Sequence, residues 1–185
     1  MRRKEEIIYN LEKESYTKIV VPKFSKRIKY YLGLRRYPGY NVKYMVDFLN
    51  TNGIKTFEIL SYSKYITETK EIKGKTLFDS LKSEKDINKI NELFNKYIEI
   101  VSKIINLGIY FGDFNYFNFI IKDNEMYVID LEDYRKDFLC KFRKKDMLKR
   151  LKDKLCYMEK MLGRSEKIFD GNKIYEDIFK KTNKK

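Results

Sequence analysis

Three side chains between residues 107 and 134 carry the oxygen atoms that a phosphoryl-transfer site uses: Asp113, Asn118 and Asp130. Asp113 follows a glycine turn, and Asn118 comes five positions later. The apolar runs Phe119 to Ile121 and Met126 to Ile129 flank the polar pair Asp123-Asn124, which reads as a hairpin of two short strands. Asp113 and Asn118 lie just before this hairpin, and Asp130 directly ends its second strand. A hairpin returns its two ends toward each other, so the spacing predicts that the three side chains converge. Hard cations take oxygen ligands, and Mg²⁺ draws only one or two from protein, the rest coming from phosphates and water. A hydroxyl nucleophile needs a carboxylate to orient it and accept its proton. Two carboxylates and an amide at this spacing suit that chemistry.

The elements that must position them are legible around the stretch. Residues 87–106 read as a core helix, with Ile87, Ile90, Leu93, Phe94, Tyr97, Ile98, Val101, Ile104 and Ile105 at steps of three and four. This helix delivers the chain to Gly108. Nearer the start, residues 6–10 and 15–21 read as two strands joined by the polar turn Leu11 to Glu14, with Pro22 closing the second. A basic-aromatic stretch, 23–37, is broken by Pro38-Gly39. Residues 40–51 read as a helix presenting Val42, Met45, Val46 and Leu49, ended by Asn52-Gly53. Residues 56–62 and 64–72 read as a further strand pair, and 143–162 as a strongly basic helix carrying Leu148, Leu151, Leu155, Met158 and Leu162. No internal repeat is present.

Composition narrows the chemistry. The chain has 185 residues, enough for one domain or two small lobes sharing a cleft. It has no histidine, which excludes a histidine base, a Ser-His-Asp triad and any histidine metal site. Cys140 and Cys156 are the only cysteines and form no CxxC, so two reduced thiols in a cytosolic protein are expected rather than a disulfide or a thiolate metal site. No apolar region follows Met1-Arg2-Arg3-Lys4, as a signal peptide requires, and no window reaches the roughly 18 apolar residues of a membrane span. The net charge of +14 is concentrated at the two ends: residues 1–36 carry 11 basic and 4 acidic side chains, 141–164 carry 10 and 3, while 37–140 carry 14 and 16. Basic ends suit nucleic acid, anionic lipid or an acidic substrate, or simply reflect lysine as the common polar residue of this chain.

Residues 107–134 resemble the catalytic and metal-binding loops of the protein-kinase-like fold, in which Asp, an Asn five residues on, and a strand pair ending in Asp recur. The resemblance implies an α+β, two-lobe fold: a reduced N-terminal β-lobe over 1–73, built of strand hairpins and one helix, and a mainly helical C-terminal lobe over 74–185 with the catalytic and metal loops. It implies Asp113 as catalytic base and Asn118 and Asp130 as Mg²⁺ ligands, with Asp133 the alternative to Asp130. A strand lysine reaches the nucleotide phosphates in that fold; Lys18 is the candidate and Lys23 the runner-up. Glu71-Ile72-Lys73-Gly74-Lys75-Thr76-Leu77 looks like the hinge between lobes, which places backbone groups of Lys70 to Ile72 against the adenine. Such kinases hold the lysine with a glutamate from the following helix; Asp47 is the only acid in 40–51. Phe111 stands where kinases usually carry His or Tyr, Asn115 where protein kinases carry Lys, and Leu131-Glu132 where Phe-Gly is usual. No glycine precedes Gly33, so either the nucleotide lid is built without glycine or the N-terminal lobe is truncated.

Among kinase-like families the chain is most similar to the bacterial lipopolysaccharide core heptose kinases. The matching residues are Gly112-Asp113 with Asn118-Phe119, Ile129-Asp130-Leu131, and Lys18 followed by Pro22 and Lys23. That resemblance implies transfer of a phosphoryl group from ATP, with Mg²⁺, to a heptose hydroxyl of the lipopolysaccharide inner core. The partner is then a core glycolipid or another sugar acceptor, and the place is the cytoplasm, with peripheral contact at the anionic inner-membrane surface. Alternative readings are a pseudokinase remnant, a kinase of another small molecule or a protein, and a basic nucleic-acid-binding protein. The last has no recognisable motif behind it, and nucleic acid is not the expected partner.

Overall fold

Ile7, Ile8 and Tyr9 in Lys4–Asn10 (β1) and a run rich in β-branched and aromatic residues in Ser15–Val21 (β2) favour strands, and these two pair antiparallel through the turn that Glu14 closes at φ 47. In the computed structural model, residues 4–136, 142–163 and 169–183 are described; Cys140 and the two charged termini lie outside them. The described chain divides into two compact units, one of residues 1–73 with Asp130–Glu132, the other of 74–129 with 133–185.

In the first unit, Ile59–Tyr62 (β3) and Ile66–Lys70 (β4) complete a four-stranded antiparallel sheet of order β1-β2-β4-β3. Two helices intervene between the hairpins: Phe24–Tyr31 (α1) and Pro38–Thr51 (α2). Proline is favoured at the first turn of a helix, where its missing N–H would have no partner, and Pro38 occupies that place. Val42, Met45, Val46 and Leu49 of α2 are buried together with Ile54 and Val20. Gly39 is required for this close packing, since a Cβ there would lie 2.0 Å from the Ser63 carbonyl oxygen. The basic-aromatic stretch therefore contains a helix, α1, that its exposed residues did not announce.

The second unit opens with the short strand Lys75–Thr76 (β5) and the helix Leu77–Ser83 (α3), which Thr76 caps by accepting from the Asp79 N–H at 3.0 Å. The expected core helix is Ile87–Asn106 (α4), burying Ile90, Phe94, Tyr97, Ile98, Val101, Ile104 and Ile105. The hairpin is Phe119–Lys122 (β6) and Glu125–Val128 (β7), joined by Asp123 and Asn124 at φ 50 and 60. Two residues in the left-handed region are what a tight two-residue hairpin turn demands, and Asp and Asn tolerate it best after glycine. β5 adds to β6 as the third strand. The basic helix is Lys144–Leu162 (α5), and a further helix, Gly171–Asn183 (α6), follows it with Ile174 and Ile178 buried. No helix of the described residues is long and apolar enough to cross a membrane.

Candidate functional site

Lys18 sits mid-strand on β2, paired across the sheet with Ile7 on one side and Thr67 on the other. Its Nζ lies 2.6 Å from Asp130 Oδ1 and 2.9 Å from Glu132 Oε1, with Glu5 at 4.0 Å. Burial favours the neutral amine, but the Glu132 and Asp130 carboxylates outweigh it, so the Lys18 ammonium is held above its ordinary range. Glu132 is pushed the other way from a typical salt-bridged carboxylate, upward to about 7, because it is buried and faces Asp130, with Lys18 offsetting only part. Its Oε2 is buried and has no hydrogen-bond partner among the described residues. Asp130 adopts φ 60, a left-handed conformation that a non-glycine residue holds at a cost and that concentrates at functional positions. Lys18 thus finds two carboxylates from one tripeptide more than a hundred residues downstream.

Glu132 was not singled out by sequence reasoning, which looked for the lysine's partner on the helix. Asp47 is instead bound to Lys43 one turn back on α2, at 2.5 Å. The Asn41 side-chain amide approaches the Glu132 carbonyl oxygen at 3.4 Å and ties the tripeptide to α2. The runner-up Lys23 is an exposed residue at the start of α1. The amides of Lys70 and Glu71 are committed to the carbonyl oxygens of Glu58 and Glu14, so these two backbone groups of the expected hinge serve the sheet and its turn. Ile72 follows them, half-buried.

The second unit holds Asp113 and Asn118. Phe111 is fully buried, stacked on Tyr134 at 4.7 Å and packed on Phe114 at 4.3 Å, and this anchors the loop before Asp113. The loop is further fixed by Tyr97, whose hydroxyl donates to the Phe114 carbonyl at 3.0 Å. Asp113 itself is exposed, and its Oδ1 accepts from the Asn115 N–H at 3.2 Å, a local Asx turn. Lys154 of α5 brings its ammonium to 3.6 Å from the same oxygen. A cation therefore stands beside Asp113 although Asn115 has replaced the lysine usual two positions on. Nothing in the sequence marked Lys154 out from the many cations of its helix. Asn118 ends a 3-10 turn over Tyr116–Asn118, and its carbonyl accepts from the Ile129 N–H at 2.9 Å, closing the base of the hairpin. The alternative ligand Asp133 lies 3.6 Å from the Arg135 guanidinium and is exposed.

This chain is similar to solved structures of a kinase. The Rio2 kinase from Chaetomium thermophilum, as its ADP/Mg²⁺-phosphoaspartate complex, superposes at a TM-score of 0.57 with 15% identity, over 99% of this chain and 59% of that one. Another crystal structure of Rio2 kinase from the same organism gives 0.59 and 16%, over 98% and 60%. The fold is protein-kinase-like. This chain spans about three fifths of the length of those kinases. The ADP-bound aminoglycoside phosphotransferase APH(2'')-Ib aligns at 0.40 with 13% identity, over 97% of this chain and 88% of that one. No protein-family model and no curated protein matches the chain.

The donor types that the two units each carry suit Mg²⁺ and phosphate. Asp130 and Asn118 offer hard oxygens, and Lys18 offers an ammonium for phosphate. Among the described residues no group of three or more His, Cys, Asp or Glu gathers as an all-protein metal cage. A Mg²⁺ site that takes most of its ligands from phosphate and water needs none.

Proposed function

We propose that the chain is an ATP-dependent phosphotransferase with an alcohol group as acceptor, and that the acceptor is a sugar, a heptose of the lipopolysaccharide inner core. The observation that carries the phosphotransfer reading is the 2.6 Å pairing of Lys18 with Asp130, a strand lysine and a strand-end aspartate 112 residues apart. The likeness in fold to a kinase solved with ADP and Mg²⁺ supports it. The heptose assignment rests on the Gly112-Asp113, Asn118-Phe119 and Ile129-Asp130-Leu131 motifs, with the basic chain ends suited to an anionic glycolipid.

In this reading Asp113 accepts a hydrogen bond from the acceptor hydroxyl and takes its proton as the new O–P bond forms. The bond between the γ-phosphorus and its bridging oxygen breaks, and ADP carries away that electron pair. Lys18 neutralises phosphate charge, held in place by Glu132. Lys154 stands with its ammonium 3.6 Å from the Asp113 carboxylate. Asn118 and Asp130 would hold Mg²⁺, which would supply charge neutralisation on the phosphates. The adenine is assigned to backbone groups of Lys70 to Ile72 other than the Lys70 and Glu71 amides, which bind the sheet and its turn.

The test is Mg²⁺-dependent ATP binding by the purified chain beside Asp130→Ala, followed by transfer to heptose-containing core glycolipid and to aminoglycosides. Binding that needs Mg²⁺ and fails in Asp130→Ala supports the reading. Absence of binding at millimolar ATP overturns it and leaves a pseudokinase remnant. Transfer to an aminoglycoside but not to core glycolipid keeps the enzyme class and overturns the heptose.

A further inference from the structure

The helix α1 carries its apolar residues on the outside. Phe24, Ile28 and Tyr31 stand at i, i+4 and i+7, one stripe of a helix, and Leu32 and Leu34 extend it past the last turn. Their exposures are 77%, 46%, 86%, 61% and 69%. A single exposed leucine is ordinary, but five large apolar side chains within 11 residues are a patch. The stripe is held outward from behind. Tyr30, on the opposite side of the helix, packs against Tyr37 at 5.5 Å, the Arg27 Nε donates to the Pro22 carbonyl at 3.2 Å, and the Arg36 guanidinium lies 3.7 Å from the centre of the Tyr44 ring.

The charged residues of this stretch of chain are all cations. Lys23, Arg27 and Lys29 flank it and are exposed. No acidic residue occurs between Glu14 and Asp47, an interval with eight lysines and arginines. An apolar stripe bordered by cations is the pattern of a helix that lies in a membrane interface, its apolar side among the acyl chains and its cations at anionic headgroups. A second copy of this chain would set like charges against like on both borders. Nucleic acid would use the cations and could stack on Phe24 or Tyr31, but it offers nothing to Ile28, Leu32 and Leu34.

We propose that α1 and the turn after it form a docking surface for an anionic lipid bilayer, with Phe24, Ile28, Tyr31, Leu32 and Leu34 inserted and Lys23, Arg27 and Lys29 at the headgroups. The surface is independent of the phosphotransfer reading, because none of these residues belongs to the candidate site. It gives the general basic character of the chain a specific place where the membrane is touched.

The chain has no tryptophan, so Phe24→Trp introduces a unique reporter at the start of the stripe. The full chain carrying it is mixed with vesicles of phosphatidylcholine alone and of phosphatidylcholine with phosphatidylglycerol in roughly equal amounts. The expected result is a blue-shifted emission and co-sedimentation with the anionic vesicles only. Phe24→Ser/Ile28→Ser/Tyr31→Ser lowers vesicle affinity by about tenfold or more, and Lys29→Glu by about fivefold, with melting temperatures unchanged because the residues are exposed. Vesicle binding without a spectral shift, or undiminished in the triple variant, overturns the inserted stripe and leaves charge adsorption alone. A dimer in sedimentation velocity that the triple variant dissolves overturns it in favour of a second copy. Tighter binding to a random oligonucleotide than to anionic vesicles, with quenching of the reporter, overturns it in favour of nucleic acid.

Discussion

Lys18 places its ammonium on both Asp130 and Glu132, so its loss removes a cation that these two facing carboxylates share. Lys18→Met is expected to destabilise the chain by about 2–3 kcal/mol in urea unfolding, less than a fully buried pair would lose because Asp130 is exposed. Adding Glu132→Gln should recover much of that loss, since the repulsion is then gone. Equal stability of wild type and Lys18→Met would show the cluster to be solvated and the proposed positioning of Lys18 wrong. Asp113→Asn tests the other half of the site. It should keep Mg²⁺-dependent ATP binding and lower phosphoryl transfer by about 10²-fold or more, read in single-turnover assays. Asp113, Asn118 and Asp130 stood out in the sequence because their types and spacing are a local pattern. Glu132 and Lys154 did not, because each acts on a residue far along the chain, and a carboxylate in a charged run or a lysine in a basic helix carries no local mark of its partner.

Elements were legible where periodicity and turn chemistry agree. The stripe of α4 runs at steps of three and four over 20 residues, and the helix has the expected bounds. The hairpin turn announced itself through Asp123-Asn124, whose positive φ values these residue types tolerate. α6 escaped notice, although Ile174 and Ile178 one turn apart, with Phe169 before them, are the signal that could have found it. α1 escaped because its apolar stripe faces away from the core. Backbone approach is a further property of elements that only coordinates reveal. Gly39→Ala would drive a Cβ against the Ser63 carbonyl at 2.0 Å and the Ile66 carbonyl at 2.7 Å, neither of them a flexible side chain. It should cost about 2 kcal/mol or more, measured as a lower unfolding midpoint. Thr76→Ala, which removes the cap of α3, should cost about 1 kcal/mol by the same measurement.

At the scale of the molecule, the aromatic content becomes a pH response. Tyr97 and Tyr116 are fully buried, their rings meeting at 4.9 Å, and burial raises both phenols well above their ordinary value of 10.0. A group whose folded pKa is raised contributes stability that is intact below its unfolded pKa and is lost as pH rises beyond it. Stability should therefore be insensitive to these phenols at neutral pH and fall steeply above about pH 10, where the unfolded chain alone releases their protons. Denaturant midpoints from pH 8 to 11 check this, and the fall should be shallower in Tyr97→Phe/Tyr116→Phe; identical slopes would place the alkaline loss elsewhere. The sequence by itself determined the fold class, the core helix and the hairpin, and marked out Asp113, Asn118 and Asp130 as candidates, because periodicity, turn preference and residue spacing act over a few residues. Only the tertiary structure decided that Lys18 is held by Glu132 rather than by the α2 acid, that Lys154 stands beside Asp113, and that the stripe of α1 stays outside. Those outcomes depend on which distant surfaces are brought together and desolvated, and local sequence does not encode the distance between residues a hundred positions apart.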